Sequence, residues 1–241
     1  MNKKIVKVVR FVCKIPFMLR IKNALLPYWN HLEENYINKN VRKYGIGVLA
    51  DFDTVMNKNN IHYAVFAGTL LGAIREKGLL KHDMDIDTMM FNKNYSENTQ
   101  KLLEKEGFKL IRQFLVEDGK VAREETYAKK GVHIDIYYIY SDERFPTYQC
   151  DFYQADGAKN NGESMEKFGY VRVRRLEFPV SEKVRRVDFE NIKVNVPFNA
   201  EEWLEYRYGK NYMIPDPNFK DKGDNPNIID WVEYKGVLLQ F

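Results

Sequence analysis

The sequence predicts an α+β domain built on a mixed sheet flanked by helices, and three observations support this class. The chain has 241 residues, of which 44% are hydrophobic and 30% charged, enough apolar material for one sizeable core. Helical and strand patterns alternate along the first 140 residues. Two strand-like runs, 121–129 and 132–140, are joined by a tight turn at Lys130-Gly131, so the sheet includes an antiparallel hairpin.

The folded part of the chain is predicted to begin with a long helix and a short strand. Apolar residues at helical spacing predict the helix, and the Asn59-Asn60 pair ends it. Those apolar residues are Val41, Tyr44, Val48, Phe52 and Val55. Residues 61–67 form a mostly apolar run, which predicts a short buried strand.

A second helix and a second strand follow. The helix is predicted to open at Gly68-Thr69, to run to about Lys77 and to stop at Gly78. Residues 84–91 predict the strand.

A third helix and a third strand complete the first half of the chain. Asn94 and Glu97 have the spacing of a capping box at the start of the helix, and Gly107 ends it. The strand covers residues 108–116.

Beyond residue 141 the periodic pattern weakens, and we expect a helical and loop-rich C-terminal part. A strand near 189–196 precedes a helix that Asn199 and Glu202 are predicted to cap and Gly209 to end. Three prolines then predict a loop-rich ending: Pro215, Pro217 and Pro226.

Basic residues are concentrated at the start of the chain. Residues 1–22 hold seven basic residues and no acidic one: Lys3, Lys4, Lys7, Arg10, Lys14, Arg20 and Lys22. Subtracting this charge of +7 from the total of +4 leaves −3 for the other 219 residues. A mildly acidic body argues against a nucleic-acid surface spread over the domain.

The basic segment is predicted to be an amphipathic helix. Four basic residues recur at helical spacing on one stripe: Lys3, Lys7, Arg10 and Lys14. Four apolar residues lie on the other side: Ile5, Val8, Val9 and Val12. Such a helix binds an anionic membrane surface or packs on the domain with its basic face in water. Charges interrupt every apolar stretch, so neither a membrane span nor a secretory signal is predicted.

Pro27 is the expected hinge after this segment, which divides the chain into residues 1–26 and a main domain of residues 27–241. We therefore expect a cytoplasmic protein, peripheral on the inner face of the cell membrane if the segment binds lipid. The two cysteines, Cys13 and Cys150, are far apart and have no metal-ligand spacing. They are consistent with a reducing compartment without disulfides.

The candidate chemistry begins with two aspartates in the second predicted strand. Alternate side chains of a strand share a face, so Asp85 and Asp87 project together while Ile86 points into the core. Two ionised carboxylates on one face need a cation, and oxygen-only ligands suit Mg²⁺ or Mn²⁺. Another such pair, Asp51 and Asp53, falls in a helical pattern and is expected to face solvent.

A third aspartate and a Gly-Thr turn complete the pattern. Asp135 lies in a later strand with apolar neighbours, so three carboxylates would converge if the two strands were adjacent. Gly68 and Thr69, at a strand-to-helix junction, can present backbone N–H groups to a phosphate. This order of elements is typical of the nucleotidyltransferase superfamily.

Longer blocks resemble the LicD family, which includes the fukutin-related proteins. The first block is residues 67–75, AGTLLGAIR, followed by Lys77-Gly78 and Asp85-Ile86-Asp87. His133-Ile134-Asp135-Ile136 resembles the family's third-carboxylate strand. The flank before the first two aspartates differs: Lys81-His82 replaces a Pro-Trp, and Met84 interrupts an acidic run that includes Asp83.

A C-terminal block also resembles this family. It consists of Val194–Pro197, Trp203-Leu204-Glu205, Tyr208-Gly209 and Pro215. The resemblance as a whole covers roughly residues 40–140 and 190–217.

The resemblance implies a metal-dependent enzyme that transfers phosphocholine or a polyol phosphate from a CDP-linked donor, such as CDP-choline or a CDP-polyol. The acceptor is a hydroxyl of a glycan or lipid-linked glycan, as in lipopolysaccharide or teichoic acid synthesis, and CMP leaves. Asp85 and Asp87 hold Mg²⁺ or Mn²⁺ on the donor, and Asp135 completes the metal site or takes the acceptor proton.

Further residues are candidates to bind the substrate in such an enzyme. Gly68 and Thr69 would cradle phosphate. Three cations could offset leaving-group charge or simply lie at a solvated helix end: Arg75, Lys77 and Lys81. His82 and His133 are further candidates for the general base.

Two other function classes remain open from the residues alone. One is a different nucleotide-dependent transferase, either a nucleotidyltransferase acting on a small molecule or sugar or a D-x-D glycosyltransferase. The other is a binding domain without catalysis, which leaves three spaced carboxylates unexplained.

Overall fold

A computed structural model describes residues 16–141, 147–216, 219 and 228–241, with side chains from residue 35 onwards. Within these residues the fold is an eight-stranded sheet, a separate two-stranded sheet and five α-helices. The predicted α+β class with a mixed sheet is confirmed. The charged and apolar segment of residues 1–15 lies outside the described residues.

The helices flank the sheet. They are α1 (Pro16–Lys58), α2 (Ala67–Leu71), α3 (Glu97–Lys105), α4 (Asn161–Phe168) and α5 (Ala200–Tyr208). Helix α2 continues directly into a wider π-helical turn, Gly72–Glu76, and 3₁₀ turns cover Asn92–Asn94 and Glu117–Gly119. None of the described helices combines the length and the apolar character needed to cross a membrane.

Ten strands are present in the described residues. They are β1 (Ala64–Val65), β2 (Ile86–Phe91), β3 (Lys109–Val116), β4 (Ala122–Lys129), β5 (Val132–Ile139), β6 (Tyr148–Tyr153), β7 (Val171–Glu177), β8 (Val184–Phe189), β9 (Ile192–Pro197) and β10 (Ile228–Gln240). The large sheet has the order β1-β2-β5-β4-β3-β10-β7-β6, and β8 pairs with β9. Only β2 and β5 are parallel among these described pairs.

The parallel pair sets the position of the candidate site. Asp87 lies directly opposite Asp135 in the register of β2 and β5, so their side chains share one face of the sheet. Ile86 and Ile134, the residues before them, are fully buried on the other face. The two strands thereby hold two carboxylates against a rigid apolar layer.

Helix α1 packs its apolar stripe on the sheet, as predicted. Val48 and Phe52 are fully buried, and the Phe52 ring contacts Tyr63 and Phe108 edge-on at centroid distances of 5.2 and 6.2 Å. The helix runs through Pro27 without a break, so the predicted hinge at this residue is wrong. The division into residues 1–26 and 27–241 stays a prediction.

Both predicted capping boxes are wrong in detail. Helix α3 is capped by Ser96, whose hydroxyl accepts a hydrogen bond from the Asn98 N–H, because Asn94 belongs to the preceding 3₁₀ turn. Asn199 is the N-cap residue of α5 as predicted, and its Nδ2 donates to Glu202 Oε2 at 2.9 Å. Its Oδ1, however, accepts from the Ser181 N–H across the fold, so the Asn199 side chain bonds no backbone N–H of the helix.

Asp53 does not face solvent, contrary to the prediction. Its carboxylate accepts hydrogen bonds from Tyr63, Asn57 and Arg186, so it ties α1 to the sheets. Asp51 does remain partly exposed and pairs with Lys129 at 2.6 Å. The helical pattern could not reveal the distant partners of Asp53.

The ending of the chain is less loop-rich than predicted. Strand β10 spans 13 residues and inserts between β3 and β7. Its register shifts between Asp230 and Lys235, which breaks the alternation that identifies a strand in a sequence. Gly236 permits a close crossing, because a Cβ there would lie 2.7 Å from the Phe152 ring.

Candidate metal and phosphate site

The structure brings the three predicted carboxylates together. Asp87 and Asp135 project from neighbouring strands, and Asp85 lies one residue before the start of β2. One oxygen of each side chain lies within 4.8 Å of the other two. Asp135 is buried, Asp87 is largely covered, and Asp85 is partly exposed at the mouth of the group. The three form what we call the carboxylate centre.

Gly68 and Thr69 orient Asp87. The Gly68 N–H donates to Asp87 Oδ2 at 3.1 Å, and the Asp87 N–H donates to Thr69 Oγ1 at 2.9 Å. Thr69 is fully buried, so its hydroxyl holds the Asp87 backbone and does not face a ligand. Gly68 lines both cavities beside the centre.

Asp135 is held by its strand and leaves one oxygen without a hydrogen bond. The Thr88 hydroxyl donates to the Asp135 carbonyl at 2.9 Å. Arg112 Nη2 lies 3.6 Å from Asp135 Oδ1, an ion-pair distance beyond hydrogen-bond range. No group among the described residues bonds this buried oxygen. Three carboxylate oxygens, one of them unbonded, fit a hard divalent cation such as Mg²⁺ or Mn²⁺.

The carboxylates of the centre hold protons unusually tightly. Burial is the main cause for each, and the neighbouring carboxylates add to it for Asp85 and Asp87. The pKa of Asp85 is raised to about 6, that of Asp87 well above its usual range, and that of Asp135 is raised despite Arg112. Nearby, burial raises the pKa of Asp83 to about 6. A bound cation reverses this effect by favouring the ionised forms.

Two residues at the centre were missed by the sequence analysis. Arg112 of β3 lies 3.6 Å from both Asp135 and Glu124, and its Nε donates to Thr126 Oγ1 at 3.1 Å. Glu124 of β4 is buried, which raises its pKa well above the usual value. The sequence feature that could have identified Arg112 and Glu124 is that each is a charged residue within a predicted strand.

The structure separates the three predicted cations. Arg75 Nη1 donates to the Tyr212 carbonyl at 3.1 Å, and Arg75 lines a cavity together with Gly68 and Asp83. Lys77 and Lys81 are exposed, and neither lines the two cavities beside the centre. Arg75 is therefore the member of this set that faces a substrate-sized space.

The candidate histidines differ in their surroundings. His82 is exposed and lines the same cavity as Arg75. His133 is partly buried, and burial followed by the charge of Arg112 lowers its pKa. His133 lines neither cavity beside the centre.

Helix α1 holds the loop that carries Asp83 and Asp85. Asn38 Nδ2 donates to the Asp83 carbonyl at 2.8 Å and to the Lys81 carbonyl at 3.2 Å. Arg42 Nη1 lies 3.5 Å from the same Lys81 carbonyl. A loop fixed by side chains of a packed helix keeps Asp85 near the other two carboxylates, which is a positioning role for Asn38.

Two cavities flank the carboxylate centre. The inner cavity, of about 370 Å³, includes Asp87, Glu124, Gln149 and Trp203 in its wall. The outer cavity, of about 900 Å³, is lined by a second set that includes Arg75, Asp83, Tyr208, Tyr212 and Phe219. Gly68 lines both cavities and donates a hydrogen bond to Asp87, so a ligand that spans the two cavities lies beside the carboxylate centre.

Two parallel strands bring two carboxylates together beside a Gly-Thr turn, and a third carboxylate lies just before the first of these strands. This arrangement defines a domain of the nucleotidyltransferase type. Residues 60–199 match the LicD/FKTN/FKRP nucleotidyltransferase domain, and the chain belongs to this family. The match includes all three members of the carboxylate centre.

Two animal proteins are similar over most of the chain. The ribitol-5-phosphate transferase FKTN of Mus musculus is 25% identical over 230 residues, covering 91% of this chain and 45% of that protein. The Homo sapiens protein of the same name is 24% identical over 216 residues, covering 87% of this chain and 42% of its own length. The chain thus spans less than half of these relatives.

Proposed function

We propose that this protein is a metal-dependent transferase that moves phosphocholine or a polyol phosphate from a CDP-linked donor to a hydroxyl of a cell-surface glycan. The observation that carries the proposal is the carboxylate centre, with three oxygens within 4.8 Å and a buried Asp135 oxygen that no described group bonds. Family membership and relatives that bear the name ribitol-5-phosphate transferase support the type of transfer.

Asp85, Asp87 and Asp135 are the residues that would hold Mg²⁺ or Mn²⁺. When bound, the cation supplies positive charge to the donor pyrophosphate and to the charge that develops on transfer. Gly68 fixes the Asp87 carboxylate and Thr69 fixes the Asp87 backbone through the bonds described above. The Arg112 guanidinium, 3.6 Å from Asp135, neutralises part of the negative charge of the carboxylate centre, so the metal ion does not have to neutralise all of it.

The proposed reaction exchanges one phosphorus–oxygen bond for another. The acceptor hydroxyl oxygen bonds to the phosphorus that carries the alcohol, and the bond from that phosphorus to the bridging oxygen breaks. CMP leaves with the electron pair. The acceptor proton passes to a carboxylate of the centre, for which Asp135 is the candidate because it is buried and faces away from bulk water.

The outer cavity suits the nucleotide half of the donor. It combines the Arg75 guanidinium with the rings of Tyr208, Tyr212 and Phe219, and its volume of about 900 Å³ is ample for a cytidine phosphate. Arg75 would then offset charge on the departing CMP. The acceptor is glycan or lipid-linked glycan, and residues 1–26 would bring the enzyme to an anionic cytoplasmic membrane surface.

Incubation of the protein with Mg²⁺, a glycan acceptor and either CDP-ribitol or CDP-choline tests this proposal. We expect release of CMP and an acceptor heavier by one phospho-alcohol unit, both detectable by mass spectrometry. A nucleotidyltransferase would instead join a nucleotide to the acceptor, and a glycosyltransferase would transfer only a sugar. Either product, or the absence of turnover with all CDP-linked donors, would overturn the assignment.

A further inference from the structure

The wall of the inner cavity contains buried polar atoms whose hydrogen bonds the described residues do not satisfy. Gln149 and Trp203 line this cavity and are 4% and 2% exposed. Gln149 Oε1, Trp203 Nε1 and Asn161 Oδ1 each have no partner among the described residues. Buried polar groups are nearly always bonded in native proteins, so three around one cavity indicate a ligand that supplies the bonds.

The orientation of the Gln149 amide is fixed by its neighbour. Its Nε2 donates to Asp151 Oδ1 at 2.8 Å. Turning the amide over would bring two oxygens of like partial charge together, so Oε1 is the atom directed away from Asp151. The cavity wall therefore offers two acceptors, from Gln149 and Asn161, and one donor, the Trp203 N–H.

This set of atoms discriminates between ligand chemistries. A hydroxyl both donates and accepts, so a ligand with several hydroxyls can bond Gln149, Asn161 and Trp203 together. A quaternary ammonium group such as that of choline can bond none of them. A phosphodiester carries no O–H and only accepts, so it satisfies Trp203 and leaves both amide oxygens unpaired.

The wall of the cavity carries acidic and basic side chains in equal number. They are three carboxyl groups and three guanidinium groups: Asp87, Glu124 and Asp151, and Arg112, Arg174 and Arg207. A volume of about 370 Å³ accommodates a sugar or a short polyol.

We propose that the inner cavity binds a neutral polyhydroxyl group through Gln149, Asn161 and Trp203, with one hydroxyl or its phosphoester directed at the carboxylate centre. This inference rests on the proposed function, and it names the class of substrate that the cavity beside the carboxylate centre binds. The polyhydroxyl group is either the acceptor sugar or the polyol of the donor, since both have the same hydrogen-bonding chemistry.

Binding of simple probes to the full chain tests the chemistry without turnover. In EDTA, ligand-observed NMR would be recorded with ribitol, methyl glucoside, choline and dimethyl phosphate. We expect saturable binding of ribitol or methyl glucoside, at least tenfold tighter than that of choline or dimethyl phosphate, a difference of about 1.4 kcal/mol. Equal or tighter binding of choline or dimethyl phosphate, or no binding of either polyhydroxyl probe, would overturn the inference.

Matched variants test the residues. Asn161→Ala removes an acceptor and is expected to weaken polyol binding tenfold or more, whereas Asn161→Asp keeps the oxygen and retains binding. Gln149→Leu should weaken binding similarly. Its control, Gln113→Leu, deletes an equivalent 2.9 Å bond to Glu125 away from the cavity and should leave binding unchanged. If Gln149→Leu does not fold, the two Asn161 variants decide alone, and equal binding by both rejects the proposal.

A final arm identifies the source of the ligand and separates the two proposals. Free ribitol or methyl glucoside that competes with the acceptor assigns the cavity to the acceptor, and competition with the donor assigns it to the donor polyol. Polyol binding without any transfer from CDP-linked donors would reject the proposed function alone. Transfer that proceeds normally in Asn161→Ala and Gln149→Leu, with unchanged KM for donor and acceptor, would reject the inner-cavity assignment alone.

Discussion

Replacement of Asp85 by asparagine should stabilise the metal-free protein at neutral pH. Burial and the Asp135 carboxylate raise the pKa of Asp85 to about 6, from an ordinary value of 3.8. About two pKa units at 1.36 kcal/mol each give an upper limit of about 3 kcal/mol for the cost of ionising this group in the fold. Because Asp85 is partly exposed, we expect solvent to reduce the gain to about 1–2 kcal/mol.

The pH dependence has a defined sign. The folded protein binds the Asp85 proton more tightly than the unfolded chain, so stability falls as pH rises from about 4 to about 6. The gain from Asp85→Asn is therefore largest above pH 6 and vanishes near pH 4. Mg²⁺ should stabilise the wild type more than the variant, since we propose the ionised Asp85 carboxylate as one of its ligands.

Urea unfolding in EDTA at pH 4.5 and 7.5 measures this effect. Asp188→Asn is the matched control, because Lys193 lowers the pKa of that exposed carboxyl and its removal should change stability in the opposite direction. Asp85→Asn less stable than the wild type at pH 7.5 in EDTA, or a gain equal at both pH values, would refute the electrostatic account.

Three further outcomes are expected. Asn38→Asp removes both hydrogen bonds to the loop before Asp85, so the Mg²⁺ concentration for half-maximal activity should rise several-fold. Its control, Lys39→Ala, changes an exposed residue of the same helix and should leave that concentration unchanged. Equal values in both variants would contradict the positioning role of Asn38. Gly72→Ala should destabilise the protein by more than about 1 kcal/mol in thermal melts, because the new Cβ would lie 2.4 Å from a backbone oxygen. Its control, Gly47→Ala, has open space around the new Cβ in a helix and should be neutral or stabilising by up to about 1 kcal/mol. Similar melting temperatures for the two variants would count against the close contact at Gly72. Deletion of residues 1–26 should reduce co-sedimentation with anionic vesicles, and vesicle binding by the wild type should weaken as salt is added. Unchanged vesicle binding after the deletion, or a large loss of thermal stability, would instead favour packing of this segment on the domain.

The carboxylate centre could be predicted from sequence because its determinants are mostly local. The period of two in a strand places Asp85 and Asp87 on one face, and apolar neighbours mark the strand of Asp135 as buried. The adjacency of β2 and β5 was the one long-range assumption, and the structure confirms it through the Asp87–Asp135 register.

The residues around the centre could not be predicted, because their roles depend on strand order. Arg112 reaches Asp135 only because β4 and then β3 follow β5 in the sheet. Asn38 acts through carbonyls of a loop more than 40 positions away in the chain, and a backbone acceptor has no sequence signature. Gln149 lies in β6, in the part of the chain where the periodic signal is weak.

Release of CMP from a CDP-linked donor as a function of Mg²⁺ tests the central claim most directly, with wild type and Asp87→Asn compared in metal-stripped buffer. We expect no release in EDTA, full release when Mg²⁺ or Mn²⁺ is restored, no requirement for zinc, and a loss of at least a hundredfold in Asp87→Asn at saturating metal. Full activity of the metal-stripped wild type, or more than about a tenth of wild-type activity in Asp87→Asn, would contradict a mechanism built on the carboxylate centre.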